Sequence, residues 1–336
     1  MNYEIVATLG PSSSTRDMWN RMTRAGVTAF RLNPSHVSLP ELSRWLDRLG
    51  SHLDSLEQKP PVILDLQGSK WRLGDFDSFP LEPGGNIELV HAETAHGRDI
   101  LPVPHSDFFR AVSLSAGEIV LGDTRAVLAV ESFTPGSVKA RVVQGGVISS
   151  RKGITFTHST FRSEGLQEKD REVLVQSRHL DFILYAVSYV KDAVEMAEYR
   201  RVLGDRAYVI AKLERENAVD DAQRIALSSD ELWLCRGDLG AEAGFVGMAQ
   251  IVRRFSDTLN EIAVPVLLAG QVLEHMTRSP VPTRSEVCHL YDALSRGYRG
   301  LVLSDETAVG RYPEESCRAA AMFLALSQSG RKAMYG

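Results

Sequence analysis

AYVIAKLE, residues 207–214, is apolar at nearly every position until Lys212 and Glu214 break the run near its end. A strand with one face in water alternates apolar and polar residues, so an unbroken run indicates burial on both faces. Seven similar runs share the chain: EIVATLG (4–10), VTAFRLN (27–33), PVILDLQG (61–68), DFILYAVS (181–188), ELWLCRGD (231–238), PVLLAG (265–270) and GLVLSDE (300–306). At most positions a helical pattern follows, and that alternation implies parallel strands joined by crossover helices. Eight such units make a closed α/β barrel, the (β/α)8 TIM barrel, the best count, with a doubly wound open sheet as runner-up. TRDMWNRMTRAG (15–26) illustrates the punctuation: Ser13 and Ser14 stand where a hydroxyl caps a first turn, and Gly26 stands where a helix ends.

The regularity breaks from about Asp75 to Gly153, where helical periodicity vanishes and Gly, Pro and short alternating runs take over. IELVHAE (87–93), EIVLGD (118–123), AVLAVESF (126–133) and SVKARVVQGG (137–146) predict a small antiparallel β domain with tight turns at PGG (83–85) and PGS (135–137). It falls between strand 3 and helix 3, giving a barrel of residues 1–73 and 154–336 with an insertion at 74–153. Loops after barrel strands lie over the catalytic end, so the insertion is placed to act as a lid.

The bulk numbers agree with one large core: 336 residues, 43% hydrophobic and 24% charged. A barrel of roughly 250 residues plus an insertion fits that length. The net charge of -5 and the thin spread of Lys and Arg argue against nucleic acid as a partner. No secretory signal or membrane-length apolar run is visible, so neither export nor a membrane is expected. Cys235, Cys288 and Cys317 are odd in number and widely spaced, which suits buried free thiols in a reducing, cytoplasmic setting.

Polar residues gather where the strands end. Arg31, Asn33 and Ser35 close strand 2, and Asp65, Lys70 and Arg72 close strand 3. Ser188 closes strand 4, Lys212 and Glu214 strand 5, and Asp238 strand 6, while Gln271 follows strand 7 and Ser304 with Glu306 ends strand 8. Groups this costly to bury converge at the C-terminal mouth of a barrel, where barrel enzymes keep their chemistry. Glu214 and Asp238 on adjacent strands are hard oxygen ligands of the kind Mg2+ or Mn2+ prefers, although either alone would more often cap a helix or pair with an arginine. Lys212, two residues before Glu214, strengthens the metal reading, because a cation and a metal facing one substrate stabilise an enolate or a phosphoryl group in flight.

Taken in order, TLGPSS (8–13), AGVTAFRLNPSH (25–36), IAKLEREN (210–217), RGDLGAE (236–242), PTRSEV (282–287) and LSDETAVGRYPEES (303–316) resemble the pyruvate kinase family. The likeness runs from about Glu4 to Ala320. It implies that family's barrel with an inserted β domain, and phosphoryl transfer between phosphoenolpyruvate and ADP. By the same resemblance Lys212 faces the transferring group and the enolate oxygen, Glu214 and Asp238 hold the metal, and Arg31 and Arg72 hold phosphate oxygens. The amides of Gly237 and Asp238 would receive the substrate carboxylate, with Ser188, Gly270, Gln271, Ser304 and Glu306 around it. Pro11, Asn33 and His36 would border the nucleotide, and Lys152 and Asp123 of the lid would approach its phosphates. Trp71 and Trp233 are expected to pack the core.

Departures from the family carry expectations of their own. Pro34, Val37 and Asp305 replace an aromatic and two glycines, and the family's C-terminal regulatory domain is not matched, from which an assembly smaller than a tetramer, a homodimer, is expected. Around the monovalent-cation site formed by residues like Asn33, Ser35 and Asp65, the segment LDLQGSKWRL (64–73) is similar to the potassium-independent branch, Lys70 supplying a tethered ammonium instead. Gly270 stands where the family has a catalytic threonine, which predicts slower pyruvate chemistry and room for a larger 2-oxo acid. Two other classes stay open at this level: a metal-dependent lyase or aldolase working through a pyruvate-type enolate, and a catalytically weakened, metabolite-binding homologue.

Overall fold

The computed structural model describes residues 3–122, 126–157, 161–162 and 165–324. Eight parallel strands close into a barrel: β1 (Glu4–Thr8), β2 (Ala29–Leu32), β3 (Val62–Leu66), β12 (Ile183–Val187), β13 (Val209–Leu213), β14 (Glu231–Cys235), β15 (Val266–Ala269) and β16 (Gly300–Leu303). Between β3 and β12 the chain forms β4 (Phe79–Leu81), β5 (Asn86–Val90), β6 (Ile100–Pro102), β7 (Glu118–Leu121), β8 (Ala126–Thr134), β9 (Ser137–Gln144), β10 (Gly146–Ile148) and β11 (Ile154–Phe156). The helices are α1 (Arg16–Arg24), α2 (Leu39–Leu53), α3 (Ser106–Leu114), α4 (Glu168–Ser177), α5 (Ala193–Leu203), α6 (Glu216–Asp220), α7 (Ala222–Ile225), α8 (Arg236–Ser256), α9 (Arg284–Arg296), α10 (Asp305–Ala308) and α11 (Pro313–Ala321).

The eight apolar runs are the eight barrel strands, and β3, β13, β14, β15 and β16 are buried at every residue. Every barrel strand sends a side chain to the interior: Val6, Ala29, Ile63, Ala186, Ile210, Trp233, Leu267 and Val302. Side chains on a strand return to the same face after two residues. The next interior positions along five of these strands are therefore Thr8, Arg31, Asp65, Ser188 and Lys212, all toward the C-terminal ends. A polar layer thus caps an apolar one.

Helix caps differ in detail from expectation. The hydroxyl of Thr15, rather than Ser13 or Ser14, caps α1 by accepting from the Met18 amide, while Gly26 does take the left-handed conformation (φ 109°) just beyond it. Ser13 turns back and accepts from the Gly10 amide instead. PTRSEV forms a capping box on α9: Thr283 Oγ1 accepts from the Glu286 amide at 3.1 Å, and Glu286 Oε2 accepts from the Thr283 amide at 2.8 Å.

Two compact units result. One runs to Gln67, resumes over Leu166–Arg236 and again from Ile251; the other holds Gly68–Gly165 and Gly237–Gln250. The second unit contains a two-stranded sheet of β4 and β10 and a six-stranded sheet in the order β11-β7-β8-β9-β5-β6. The four expected strands are present, with Pro135 and Gly136 turning β8 into β9. Two features were not foreseen. The pair β5–β6 is parallel, so the sheet is mixed, and helix α3 lies in a stretch where no helical periodicity was read. The signal of α3 is short, and its aromatic pair Phe108–Phe109 packs edge-to-face at 5.1 Å in the core with Trp71 and Leu89, so both neighbours of one turn are buried. Trp71 and Trp233 are core residues as expected. Cys235 and Cys317 are buried free thiols, whereas Cys288 is exposed. Among the described residues no helix is long and apolar enough to cross a membrane.

Candidate active site

Asp65 is the centre of the polar layer in the barrel unit. Lys212 Nζ reaches its two oxygens at 3.0 and 3.1 Å, Ser188 Oγ donates to Oδ1 at 2.9 Å, and Arg31 Nε donates to Oδ2 at 2.7 Å. Lys212 also donates to Ser188 Oγ at 2.8 Å and pairs with Glu214 Oε1 at 3.0 Å. Glu214 Oε2 accepts from the Tyr189 amide at 2.8 Å. Arg31 extends its other nitrogen to Thr8 Oγ1 at 2.8 Å, and Thr8 in turn donates to the Leu303 carbonyl. Two cations therefore share one buried carboxylate. Burial alone would raise the Asp65 carboxyl, but Lys212 and Arg31 outweigh it and hold it well below the usual range. Burial would likewise lower Lys212, yet Asp65 and Glu214 outweigh it, and the ammonium stays above its ordinary value. Lys212 is thus a permanently protonated, fixed charge. Cys235 next to this group is pushed up by burial and then by Glu214, so it remains a thiol.

Around the barrel mouth the other expected residues take stated places. Asn33 caps a short turn, its Oδ1 accepting from the Ser35 amide at 3.1 Å, and Ser35 Oγ donates to Gln67 Oε1 at 3.4 Å. Pro11 opens the turn after β1, where Gly10 is required by close approach: a Cβ there would meet the Ala308 carbonyl oxygen at 2.6 Å. Thr307 Oγ1 donates to the Thr8 carbonyl at 2.8 Å, so the segments TLGP and SDETA support each other. Glu306 is buried and bridges two loops, accepting from the Leu273 amide at 2.9 Å and the Ser304 amide at 2.7 Å. Gly270 and Gln271 both have left-handed backbones, φ 85° and 51°. Arg236 grips their carbonyls, a contact the sequence reading passed over because Arg236 sat inside the RGD segment beside the more conspicuous Asp238.

In the second unit Lys70 Nζ pairs with Asp238 Oδ2 at 2.5 Å, with both side chains buried. Gly153 makes room for this pair, since a Cβ there would lie 2.8 Å from Lys70 Cε. Gly237 and Asp238 stand in the first turn of α8, where helix amides lack partners within the helix. Arg72 donates from one guanidinium nitrogen to the Arg151 carbonyl at 2.9 Å, while its buried Nε has no hydrogen bond among the described residues. Lys152 follows Arg151 directly, its carbonyl accepting from the Leu73 amide. Asp123 lies outside the described residues. Among the described residues no cluster of three or more His, Cys, Asp or Glu forms a ready-made metal cage, so a metal here would be held by fewer protein ligands plus substrate oxygens and water.

A parallel eight-stranded barrel with an inserted β unit and a buried lysine–carboxylate cluster at its C-terminal mouth defines the class of (β/α)8-barrel proteins with an enzyme-like polar mouth. Residues 1–317 match the family model for pyruvate kinase, barrel domain, and the chain belongs to the pyruvate kinase family. The pyruvate kinase of Methylorubrum extorquens is 34% identical over 93% of this chain and 66% of its own length; that of Thermococcus litoralis is 29% identical over 98% and 70%. This chain thus spans about two thirds of the length of the curated relatives it matches. A pyruvate kinase from Cryptosporidium parvum has the same fold, with a TM-score of 0.81, 21% identity, and coverage of 97% of this chain and 69% of that one.

Proposed function

We propose that the chain is a phosphotransferase moving a phosphoryl group between phosphoenolpyruvate, or a related enol phosphate, and ADP. The observation that carries this reading is Lys212, fixed between Asp65, Ser188 and Glu214 and kept protonated. An ammonium held in place before the reaction stabilises negative charge as it develops on the enolate oxygen and the phosphoryl group, with little reorganisation. Arg31, braced by Asp65 and Thr8, supplies a second fixed cation for phosphate oxygens, and Arg72 with its unpartnered Nε a third. The first-turn amides at Gly237 and Asp238 suit the substrate carboxylate.

Glu214 and Asp238 offer the hard carboxylate oxygens that Mg2+ or Mn2+ prefers, and these are the residues that would hold it. Bound there, such an ion supplies Lewis-acid neutralisation of phosphate and enolate oxygens. The Tyr189 amide orients one Glu214 oxygen, and Lys70 orients one of Asp238. Asn33, His36, Pro11 and Lys152 are the proposed nucleotide neighbours. Lys70, paired with Asp238, is the internal cation proposed to make potassium unnecessary.

The test is Lys212→Met, read by ATP formation from phosphoenolpyruvate and ADP. Turnover should fall by about a thousandfold, as when a preorganised charge is removed from a transition state, while calorimetry still detects magnesium binding. A near wild-type rate would reject the assignment.

A further inference from the structure

Arg236 opens α8, and among the described residues its hydrogen bonds go to two carbonyls and an imidazole. Its Nε and one terminal nitrogen donate to the Gly270 carbonyl at 3.0 and 2.6 Å, and the same terminal nitrogen reaches the Gln271 carbonyl at 3.0 Å. The other terminal nitrogen lies 2.6 Å from His289 Nε2 on α9. Since the guanidinium only donates, that His289 nitrogen is the acceptor and carries no proton. Two residues beyond Gln271, the Leu273 amide donates to Glu306 at 2.9 Å. The loop after β15 is therefore clamped by a cation on its carbonyls and a carboxylate on its amide.

The clamp explains an unusual backbone. Gly270 and Gln271 are consecutive left-handed residues, and a glutamine in that region carries strain that persists only where the surroundings over-determine it. In a trans peptide the carbonyl and the following N–H point in opposite directions. With the carbonyls of Gly270 and Gln271 turned to Arg236, the amides of Gln271 and Val272 point away from it. Neither amide has a hydrogen-bond acceptor among the described residues. Two successive N–H groups without acceptors in a tight turn offer paired donors to an anionic oxygen.

We infer that Arg236 is a positioning residue whose grip on the Gly270 and Gln271 carbonyls presents the Gln271 and Val272 amides to the carboxylate of the 2-oxo acid, doing by backbone what a side-chain hydroxyl at position 270 would otherwise do. This rests on the enol-phosphate reading of the barrel mouth. His289 completes the grip by fixing the guanidinium plane, and Arg236, Asp292 on its own helix, and through Arg236 also Tyr298 and Glu306, are the charged and titratable groups that bear on it.

Three variants test it: Arg236→Lys, which keeps the charge but loses the planar fork, His289→Leu, and His289→Gln, which keeps an acceptor. For Arg236→Lys the KM for phosphoenolpyruvate should rise about tenfold, the usual size for losing hydrogen bonds to a charged group, with nucleotide KM changed less than about twofold. His289→Leu should follow in the same direction and His289→Gln should restore wild-type behaviour. Equal shifts in both KM values, or none, would overturn the inference. Pyruvate binding by calorimetry separates it from the proposed reaction: if wild-type enzyme binds pyruvate yet shows no phosphoryl transfer, only the reaction fails, and weaker pyruvate binding by Arg236→Lys still supports the clamp. Wild-type and Arg236→Lys protein with identical pyruvate affinity, or with none, would reject the clamp.

Discussion

Lys70 Nζ lies 2.5 Å from Asp238 Oδ2, so the carboxylate proposed as a metal ligand is balanced by an ammonium from the chain itself. The sequence had set Lys70 beside Asn33, Ser35 and Asp65 as a stand-in for potassium. In the structure it forms an ion pair with Asp238, while Asp65 is engaged by Lys212, Arg31 and Ser188. Either way the cation is covalently tethered, and turnover should be equal in sodium, potassium and tetramethylammonium buffers. A saturable stimulation by potassium alone would contradict this. Lys70→Met should lower unfolding free energy by roughly 3 kcal/mol in urea titration, because it strands a buried charge.

Asp65 couples the lysine and the arginine of the site, which makes acid stability a direct readout. Its folded pKa is depressed, so its contribution is present above the ordinary carboxylate value of 3.8 and is lost as pH falls below that toward the folded pKa. Asp65→Asn should cost about 3–5 kcal/mol at neutral pH, leaving two buried cations without their carboxylate. The gap between wild type and variant in thermal unfolding should narrow below pH about 4.

Glu231 gives the opposite sign. It is buried within the N-terminal part of the barrel, accepts from Trp233 Nε1, and lies 3.1 Å from Tyr208 Oη. Burial, then the neighbouring Glu4, raise its pKa from 4.5 to about 8. A raised folded pKa contributes stability that is whole below 4.5 and is lost as pH climbs through about 8. Wild-type melting temperature should therefore fall across that window relative to Glu231→Gln. Parallel curves for the two proteins would show that Glu231 ionises normally.

By sequence, Gly270 stands for a threonine and opens space for a larger oxo acid. The structure adds a backbone reason for glycine: at φ 85° a β-branched residue is strongly disfavoured. Gly270→Ala should lower unfolding free energy by about 1–2 kcal/mol, and Gly270→Thr by more. A melting temperature unchanged by Gly270→Thr would show that the loop relaxes freely. Since Gly270→Thr disturbs the loop itself, substrate size is better tested by competition of 3-substituted 2-oxo acids against pyruvate on the wild-type enzyme.

Periodicity was enough to read eight buried strands, because a barrel strand must be apolar on both faces and each run shows it locally. The same two-residue repeat, carried one step past Ala29, Ile63 and Ile210, lands on Arg31, Asp65 and Lys212, so the polar layer was legible in outline. Helix α3 escapes the sequence pattern because its nine residues are too few for a sustained repeat and are stabilised by packing of Phe108 and Phe109.

Which charge meets which was beyond the reach of spacing. Lys70 pairs with a residue 168 positions away and Arg236 with carbonyls 34 and 35 positions on. A string of residue types records that a cation is present and roughly at which strand end. Only the closed chain brings a partner within hydrogen-bonding distance, because Coulomb and hydrogen-bond energies depend on separations of a few ångströms and on burial that distant segments create. The left-handed turn at Gly270 and Gln271 and the raised pKa of Glu231 belong to the same category: each is imposed on an ordinary residue by neighbours from elsewhere in the barrel.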